Sequence, residues 1–440
     1  MLQYKTVNIL VRYRLTGRSA REISASAEAA VRSGDLAPGD HLPPVRSLAR
    51  ELGVSPTTVA AAYRELRQRG ITTGAGRGGT QVRPAPPVTI RGHAQLPEGT
   101  RDLFTGTPDP ALLPVLPPRT RTSRLYAEAQ VAPRLRRLAA DQFTADGIDA
   151  ANLAVTGGAL DAIERVLATW LTSGDRVIVE DPGHAVTYDL IAAMGLVAVP
   201  VPVDGSGALP GPLSAALAAG ARAAIFTPRA QAATGAAWDA DRAAALREVL
   251  SRYPSAAVIE DDHVGPLAGA PAHTVTQRLD RWVTVRSVSK SLGPDLRLAV
   301  LAGDESTVSR VSGRQALGTG WVSYQLQETV AELWSDPAWM DHAARVYTER
   351  RDALRAALAR HDIAVAGGRS GFTCWVPVTD EDRVAAALAA AGWAVAPGRR
   401  FRIASPPGVR ICFATLEAAD AERFAGAFAA ALRSRAARLD

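Results

Sequence analysis

Lysine is almost absent from this chain: of its 50 basic residues only Lys5 and Lys290 are lysine, and the rest are arginine. Cysteine is equally scarce. Cys374 and Cys412 lie far apart, without the short spacing of a metal-ligand or redox pair, which excludes a disulfide scaffold and fits two small buried hydrophobes in a reducing compartment. No run of eighteen apolar residues occurs, so no membrane-spanning helix is expected. The first fifteen residues lack the charged start, apolar centre and small-residue cleavage site of a secretory signal, and a cytoplasmic protein without a membrane partner is expected. No G-x-G-x-x-G follows an early strand, so a dinucleotide-binding fold has no support. With 47% hydrophobic and 21% charged residues over 440 positions, the composition is that of a globular protein of two or three domains.

Charge is divided unevenly along the chain. Residues 1–83 carry thirteen Lys+Arg against six Asp+Glu, a net of +7, which leaves 37 against 38 for the remainder. A basic N-terminal region ahead of a near-neutral body suits a nucleic-acid-binding module; a solvated arginine-rich face would look the same by charge alone. Punctuation separates the two readings. Apolar residues recur at helical spacing from Ala20 to Arg32, and Gly34, Pro38 and Gly39 in "GDLAPGDHLPP" stop that helix. A second helix is expected over Val45–Leu52, ended by Gly53. Ser55 then stands where an N-cap would start a third helix, with Pro56 at its first position, running through Arg69. Two helices joined by a three-residue turn containing glycine form a helix-turn-helix. After Gly70, "ITT" and "TQV" flank the glycine-rich "GAGRGG", a hairpin of the kind called a wing. Ser55, Thr57 and Thr58 are placed to touch bases or phosphates of double-stranded DNA, and Arg46 and Arg77 to reach the backbone or minor groove. The stretch "GDLAPGDHLPPVRSLARELGVSPTTVAAAYRELRQRG" resembles the winged helix-turn-helix of the GntR family of bacterial transcription regulators. It departs from the family at Pro56 and Ala60, positions often basic in such recognition helices.

Residues 84–100 are rich in proline and are expected to form a semi-rigid linker. Across 101–440, "RVIVED" (176–181), "AAIFTP" (223–228), "AAVIEDD" (256–262), "WVTVRSVS" (282–289) and "RLAVLAG" (297–303) read as short apolar strands, mostly separated by alanine-rich helices. This alternation predicts an α/β fold with a mainly parallel sheet covered on both faces. Ligands bind such sheets at the carboxyl ends of the strands, and the polar residues expected there are distinctive. "VTGGALDAI" places a glycine pair at the start of a helix, which reads as an anion cradle of backbone N–H groups or as a tight packing turn. "EDPGH" ends a strand at His184 and "EDD" another at Asp261. "SVSK" brings Ser287, Ser289 and Lys290 to the end of a third, with Arg297 seven residues on. An amine, a carboxylate, anion-holding Ser and Arg, and a planar ring are together what pyridoxal 5'-phosphate requires: a Schiff-base partner, a pyridine-nitrogen partner and a phosphate site. A guanidinium cannot supply that amine, which accounts for a lysine persisting at 290. The four residues of "EDDH" cannot converge on one metal ion, because neighbours in an extended strand point to opposite faces; no metal site is expected.

In order, "TGGALDAI", "EDPGH", "TPRAQAATGAA", "IEDDH", "SVSKSLGPDLRLA" and "PPGVRICFATL" resemble the type I aminotransferase fold over about residues 100–435. A GntR winged helix joined by a linker to this fold resembles the MocR/GabR group of regulators. The resemblance implies that Lys290 forms the internal aldimine and that Asp261 pairs with the pyridine nitrogen. Ser287, Ser289, Arg297 and the backbone at Gly158 and Ala159 would hold the phosphate. His184 would take the place of the stacking ring, and Arg410 that of the arginine binding a ligand α-carboxylate. It also implies a homodimer. Two departures stand out: Ala232 and Ala233 occupy the Asn and Pro positions of an Asn-Pro-Thr-Gly segment whose Asn bonds the cofactor's phenolic oxygen, and His263, which could equally be a histidine satisfied within its loop, stands where a tyrosine is often found shortly after the pyridine-binding Asp. Alanine cannot make the asparagine's hydrogen bond, while His263 can still donate one. The expectation is therefore cofactor binding without efficient turnover: a DNA-binding transcription regulator sensing an amino acid, an amine or the cofactor itself. The rivals are an active PLP-dependent aminotransferase with a regulatory DNA-binding module, and a DNA-binding protein whose large domain serves only for dimerisation.

Overall fold

The computed structural model describes residues 15–33, 35–68, 71–74, 79–83, 96, 99–117, 125–126, 128–277, 279–336 and 338–433. It divides into two units, the first of which also takes in Thr172–Asp175 and Asp189–Val197, short pieces that fall in chain order within the second. In the first, helices α1 (Ala20–Ser33), α2 (Val45–Leu52) and α3 (Pro56–Gln68) precede two strands, β1 (Thr72–Thr73) and β2 (Gln81–Val82), paired antiparallel. Gly53 ends α2 in the left-handed conformation, φ +67°, its N–H returning to the Ala49 carbonyl. Ser55 begins α3 by accepting the Thr58 N–H on its hydroxyl at 3.1 Å. The helices then meet along their apolar faces: Ile23, Ala27 and Ala30 of α1, Leu48 and Ala49 of α2, and Val59, Ala62, Tyr63 and Leu66 of α3 form one buried core. The Tyr63 hydroxyl, largely buried there, donates to the Pro43 carbonyl at 2.7 Å. The order helix, helix-turn-helix, strand pair is the one expected. Arg77, Lys5 and most of the 84–100 segment lie outside the described residues.

The second unit begins with β3 (Arg101–Leu103) and α4 (Pro133–Ala145). There follow β4 (Leu153–Thr156), α5 (Ala159–Trp170), β5 (Arg176–Asp181), α6 (Ala185–Ala193), β6 (Val197–Asp204), β7 (Gly207–Ala208), α7 (Pro210–Ala218), β8 (Ala223–Phe226), α8 (Ala240–Ser251), β9 (Ala257–Asp262), β10 (Trp282–Ser287) and β11 (Ala299–Gly303). Their eight strands form one sheet in the order β4-β11-β10-β9-β8-β5-β6-β7. Pairs β5–β8, β8–β9 and β9–β10 are parallel, while β11 runs antiparallel to both neighbours. All five strands read from the sequence are present in it. All but the first are shorter than the apolar runs suggested; in the fourth the chain turns at Val288, whose carbonyl accepts the Ser291 and Leu292 N–H groups, so β10 stops at Ser287.

Helices α9 (Glu305–Ala316), α10 (Tyr324–Trp334) and α11 (Ala338–Arg360) lead to a second sheet that the sequence did not announce. It is built from β12 (Thr373–Pro377), α12 (Glu381–Ala390), β13 (Trp393–Pro397), β14 (Gly408–Cys412) and α13 (Ala421–Arg433), with strand order β12-β14-β13-β3. Its fourth strand comes from the far end of the domain: β3 pairs parallel with β13, Leu103 opposite Val395.

Buried charge fixes the strand ends of the main sheet. In β9, Glu260 and Asp262 face one side and Asp261 the other. The Asp262 carboxylate receives Arg229 Nε and Nη2, both at 2.8 Å, and Arg286 Nε at 2.9 Å. Both guanidiniums also pair with Asp146, which follows α4, and Arg286 stacks 4.6 Å above Phe143 of that helix. The two arginines hold the Asp262 carboxyl well below the usual carboxylate range despite its burial. The segment after β8, strands β9 and β10, and α4 are thereby tied together behind Asp261.

Candidate functional site

The carboxyl ends of β4, β9 and β10 bring one group of side chains together. After β4 the chain makes the turn Gly157–Gly158 and enters α5, whose first N–H groups are unpaired within the helix. Gly158 has φ +115°, and a Cβ there would lie 2.5 Å from Arg297 Nη2 and 3.1 Å from its Cζ. The backbone conformation favours glycine, and a side chain there would push the guanidinium aside. Arg297 reaches Ser289 Oγ at 3.3 Å and the Gly157 carbonyl at 3.4 Å, and Ser287 Oγ accepts the Ser289 N–H at 3.2 Å. Gly158, Ala159, Ser287, Ser289 and Arg297 thus lie together as a helix N-terminus, a guanidinium and two hydroxyls, a donor set able to hold a phosphate monoester.

Lys290 follows directly. Its Nζ donates to the Gly106 carbonyl. Burial holds the ammonium below its usual pKa, as does Arg410, against the opposing pull of Cys412 and Asp261. A lysine in such surroundings is more readily the free amine that condenses with a carbonyl. Asp261 is 6% exposed, and its Oδ1 is buried without a hydrogen-bond partner among the described residues. Burial, with Asp262 next in weight, pushes its carboxyl up to about 7, opposed by Lys290. A buried carboxylate oxygen left unpaired costs about 1–3 kcal/mol or more, so Asp261 can accept a cationic N–H donor from a ligand. A protonated pyridine nitrogen is such a donor.

His184 lies three residues beyond the end of β5 rather than at it, with Nδ1 2.9 Å from Thr187 Oγ1. Burial lowers it to about 3, helped by the positive charges of His263, Lys290 and Arg410. His263 lies with Nδ1 3.8 Å from Asp261 Oδ2, and burial, then Lys290, lowers it to about 4. Both rings are neutral at physiological pH. Arg410 on β14 is 7% exposed; Nη2 donates to the Phe104 carbonyl at 3.3 Å, the guanidinium stacks 4.6 Å from the Phe401 ring, and Nε has no partner among the described residues. That buried unpaired donor suits a carboxylate.

The segment holding Ala232 and Ala233 has a different internal support. Gln231, fully buried, accepts the Ala233 N–H at 3.0 Å, the Thr234 N–H at 2.8 Å and the Thr234 hydroxyl at 2.9 Å, and donates to the Pro182 carbonyl at 2.8 Å. The turn is thus shaped without a polar side chain at 232 or 233. Ala233 instead packs with Ala185, Trp375, Ala396 and Phe401. Gln231 escaped the sequence reading, as did Asp181, which accepts the N–H groups of Ile403, Ala404 and Ser405 at 2.7–2.8 Å and so anchors the loop carrying Phe401. Neither carries a sequence signal, since each acts on partners far along the chain.

In the first unit, Arg46, Ser55 and Thr57 are exposed and Thr58 is half-buried. The Ser55 hydroxyl is also 2.6 Å from Thr57 Oγ1 and 2.8 Å from Thr58 Oγ1, so the three form a hydroxyl cluster at the start of α3. A helix N-terminus bearing hydroxyls, with Arg46 one helix earlier, can hold a DNA phosphate.

Comparison with known proteins agrees with both halves. Residues 116–428 match the family described as aminotransferase class I and II, and residues 19–82 match bacterial regulatory proteins, gntR family. The chain is 40% identical to the vitamin B6 salvage pathway transcriptional repressor PtsJ of Salmonella typhimurium over 91% of this chain and 96% of that protein. It is 31% identical to the HTH-type pyridoxine biosynthesis transcriptional regulator PdxR of Corynebacterium glutamicum, over 53% of each. Among solved structures it is similar to LysN, the alpha-aminoadipate aminotransferase of Thermus thermophilus crystallised with N-(5'-phosphopyridoxyl)-L-leucine. The TM-score is 0.67 and the identity 20%, over 76% of this chain and 92% of that one, a likeness of fold.

Proposed function

The chain belongs to the aminotransferase class I and II family, in the branch of MocR-type regulators that carry a gntR module ahead of that domain, and from this premise we propose that it is a transcription regulator controlled by pyridoxal 5'-phosphate bound at Lys290. That it is a DNA-binding regulator follows from the family. The observation that carries the cofactor reading is Asp261 Oδ1, buried and unpartnered beside Lys290, with the anion cradle of Gly158 and Arg297 in the same site. In the proposed assignment Lys290 holds the cofactor covalently, Asp261 accepts its pyridine N–H, and Gly158, Ala159, Ser287, Ser289 and Arg297 hold its phosphate. His184 lies against the ring, His263 donates at the phenolic edge, and Arg410 takes the carboxylate of an amino-acid ligand. When bound, the cofactor supplies a carbonyl carbon with which amines exchange.

The regulator is proposed to sense rather than turn over. Ala232 and Ala233 leave the ring's phenolic side without a side-chain donor from that segment, which weakens tuning of the carbonyl but not capture of the cofactor. The B6-related names of PtsJ and PdxR support the cofactor itself as the first effector to test. A homodimer reading two operator half-sites is part of the proposal; the exposed apolar side chains Val115, Leu125, Tyr126 and Leu317 support a second copy covering them, and a cytoplasmic location fits a DNA ligand. The test is operator binding with and without pyridoxal phosphate in wild type and Lys290→Ala. The variant is expected to bind DNA in a salt-dependent way but to lose the response. A response that survives the change overturns the proposal, and conversion of an amino acid to its oxo acid with cofactor cycling would establish the enzyme instead.

A further inference from the structure

The two donors on which the site depends are both occupied by one short stretch of main chain. The Gly106 carbonyl accepts from Lys290 Nζ, and the Phe104 carbonyl accepts from Arg410 Nη2 at 3.3 Å. The stretch is held there at three places. Before it, β3 is paired into the small sheet against β13. At its centre the Asp102 carboxylate accepts the Phe104 N–H at 2.8 Å, the Thr105 N–H at 2.9 Å and the Thr105 hydroxyl. After it, the Asp109 N–H donates to Tyr347 Oη at 3.0 Å and the Asp109 carboxylate pairs with Arg350 at 2.7 Å. Gly106 is needed for the close approach, since a Cβ would lie 2.9 Å from Arg410 Nη2.

We propose that residues 102–107 form a strap whose carbonyls stand in for the ligand, so that loading the site requires the strap to give way. This rests on the cofactor reading of Lys290. A carbonyl compound condensing with Nζ must take that nitrogen from Gly106, and a carboxylate reaching the free Nε of Arg410 competes with Phe104 for the same guanidinium. In the chain the strap directly follows the 84–100 segment that leads from the DNA-binding module. A ligand-dependent change of the strap is therefore a change in the part of the effector domain nearest in sequence to the module. By binding one strap arrangement better than the other, the ligand shifts their populations.

Hydrogen exchange of the full-length protein, followed by mass spectrometry over residues 99–110 with and without pyridoxal phosphate, tests this. Faster exchange at Phe104 and Thr105 on loading is expected; unchanged or slower exchange, with the cofactor demonstrably bound, overturns the strap while leaving the cofactor reading intact. No uptake of pyridoxal phosphate by wild type removes both. As a second measurement, Asp102→Ala takes away three bonds of the clamp, and Thr105→Val takes away the hydroxyl's bond to Asp102, together with its 3.0 Å contact with Thr107 Oγ1 inside the strap, in a variant of nearly unchanged shape. Each bond lost is expected to speed cofactor association by about fivefold. Association no faster than wild type in a folded Thr105→Val protein contradicts the proposal.

Discussion

Asp261→Asn should make the cofactor-free protein more stable and the cofactor weaker, two effects of opposite sign from one side chain. The folded protein holds the Asp261 carboxyl up at about 7, chiefly through burial, whereas the unfolded chain ionises it at its ordinary 3.8. Between those values the folded state binds more protons than the unfolded one, so this group's contribution to stability falls as pH rises from about 4 to 7. A shift of that size corresponds to about 4 kcal/mol at pH 8, an upper bound because a buried site relaxes around its charge. Asparagine removes the charge and leaves buried amide hydrogens unpaired at about 1–3 kcal/mol, for a net gain of about 2 kcal/mol at pH 8. Near pH 5 the aspartate is itself protonated, and the gain should vanish or change sign. Thermal melts of cofactor-free wild type and variant from pH 5 to 8.5 read the difference, in which Glu260, raised in both proteins, cancels, and Glu180 cancels except for the smallest contribution to its shift, which comes from the Asp261 charge itself. Pyridoxal phosphate titration should show affinity reduced about 10- to 100-fold, the value of a charge-assisted hydrogen bond. A variant less stable than wild type at pH 8, with unchanged cofactor affinity, would show that Asp261 is a structural carboxylate and refute the reasoning.

Three further outcomes are expected. Gly158→Ala sets a Cβ against Arg297 in a backbone conformation that L residues avoid, and should weaken pyridoxal phosphate far more than phosphate-free pyridoxal in parallel absorbance titrations; equal losses would mean that no phosphate sits there. Asp262→Ala strands Arg229 and Arg286 without their shared carboxylate and should cost about 3–5 kcal/mol, read by denaturant unfolding, so a loss below about 1 kcal/mol would show that Asp146 alone suffices. Arg46→Ala should lower affinity for all DNA sequences alike and reduce the slope of log affinity against log salt by about one, whereas a sequence-selective loss would move Arg46 from phosphate to base contact.

What the sequence made legible was local. Ser55, Pro56 and Gly53 fix the ends of α2 and α3 by capping chemistry confined to a few residues, and the expected boundaries agree with the structure to within a residue among the described positions. Lys290 declared itself because nearly every other cation is arginine, and Gly158 because a glycine pair precedes a helix. Long-range relations were silent. The small sheet joins Arg101–Leu103 to Trp393–Pro397, a pairing that no local pattern encodes. Asp102 read as one acidic residue among 44, yet it clamps the strap over Lys290 and Arg410. Ala232 and Ala233 read as a loss; the compensating support from Gln231 appears only when its carboxamide is seen inside the turn. His184, expected at a strand end, lies three residues beyond β5, and Asp261 lies one residue inside the end of β9, shifts of the size that ladder ends commonly show.

The most direct measurement is borohydride reduction of the purified protein after incubation with pyridoxal phosphate, followed by peptide mass mapping. The account predicts a visible absorbance band that reduction abolishes, with the phosphopyridoxyl group found on Lys290 and on no peptide of Lys290→Ala. A colourless protein, or label confined to Lys5 or the chain's amino terminus, would contradict it, and the large domain would then be a scaffold whose signal enters elsewhere.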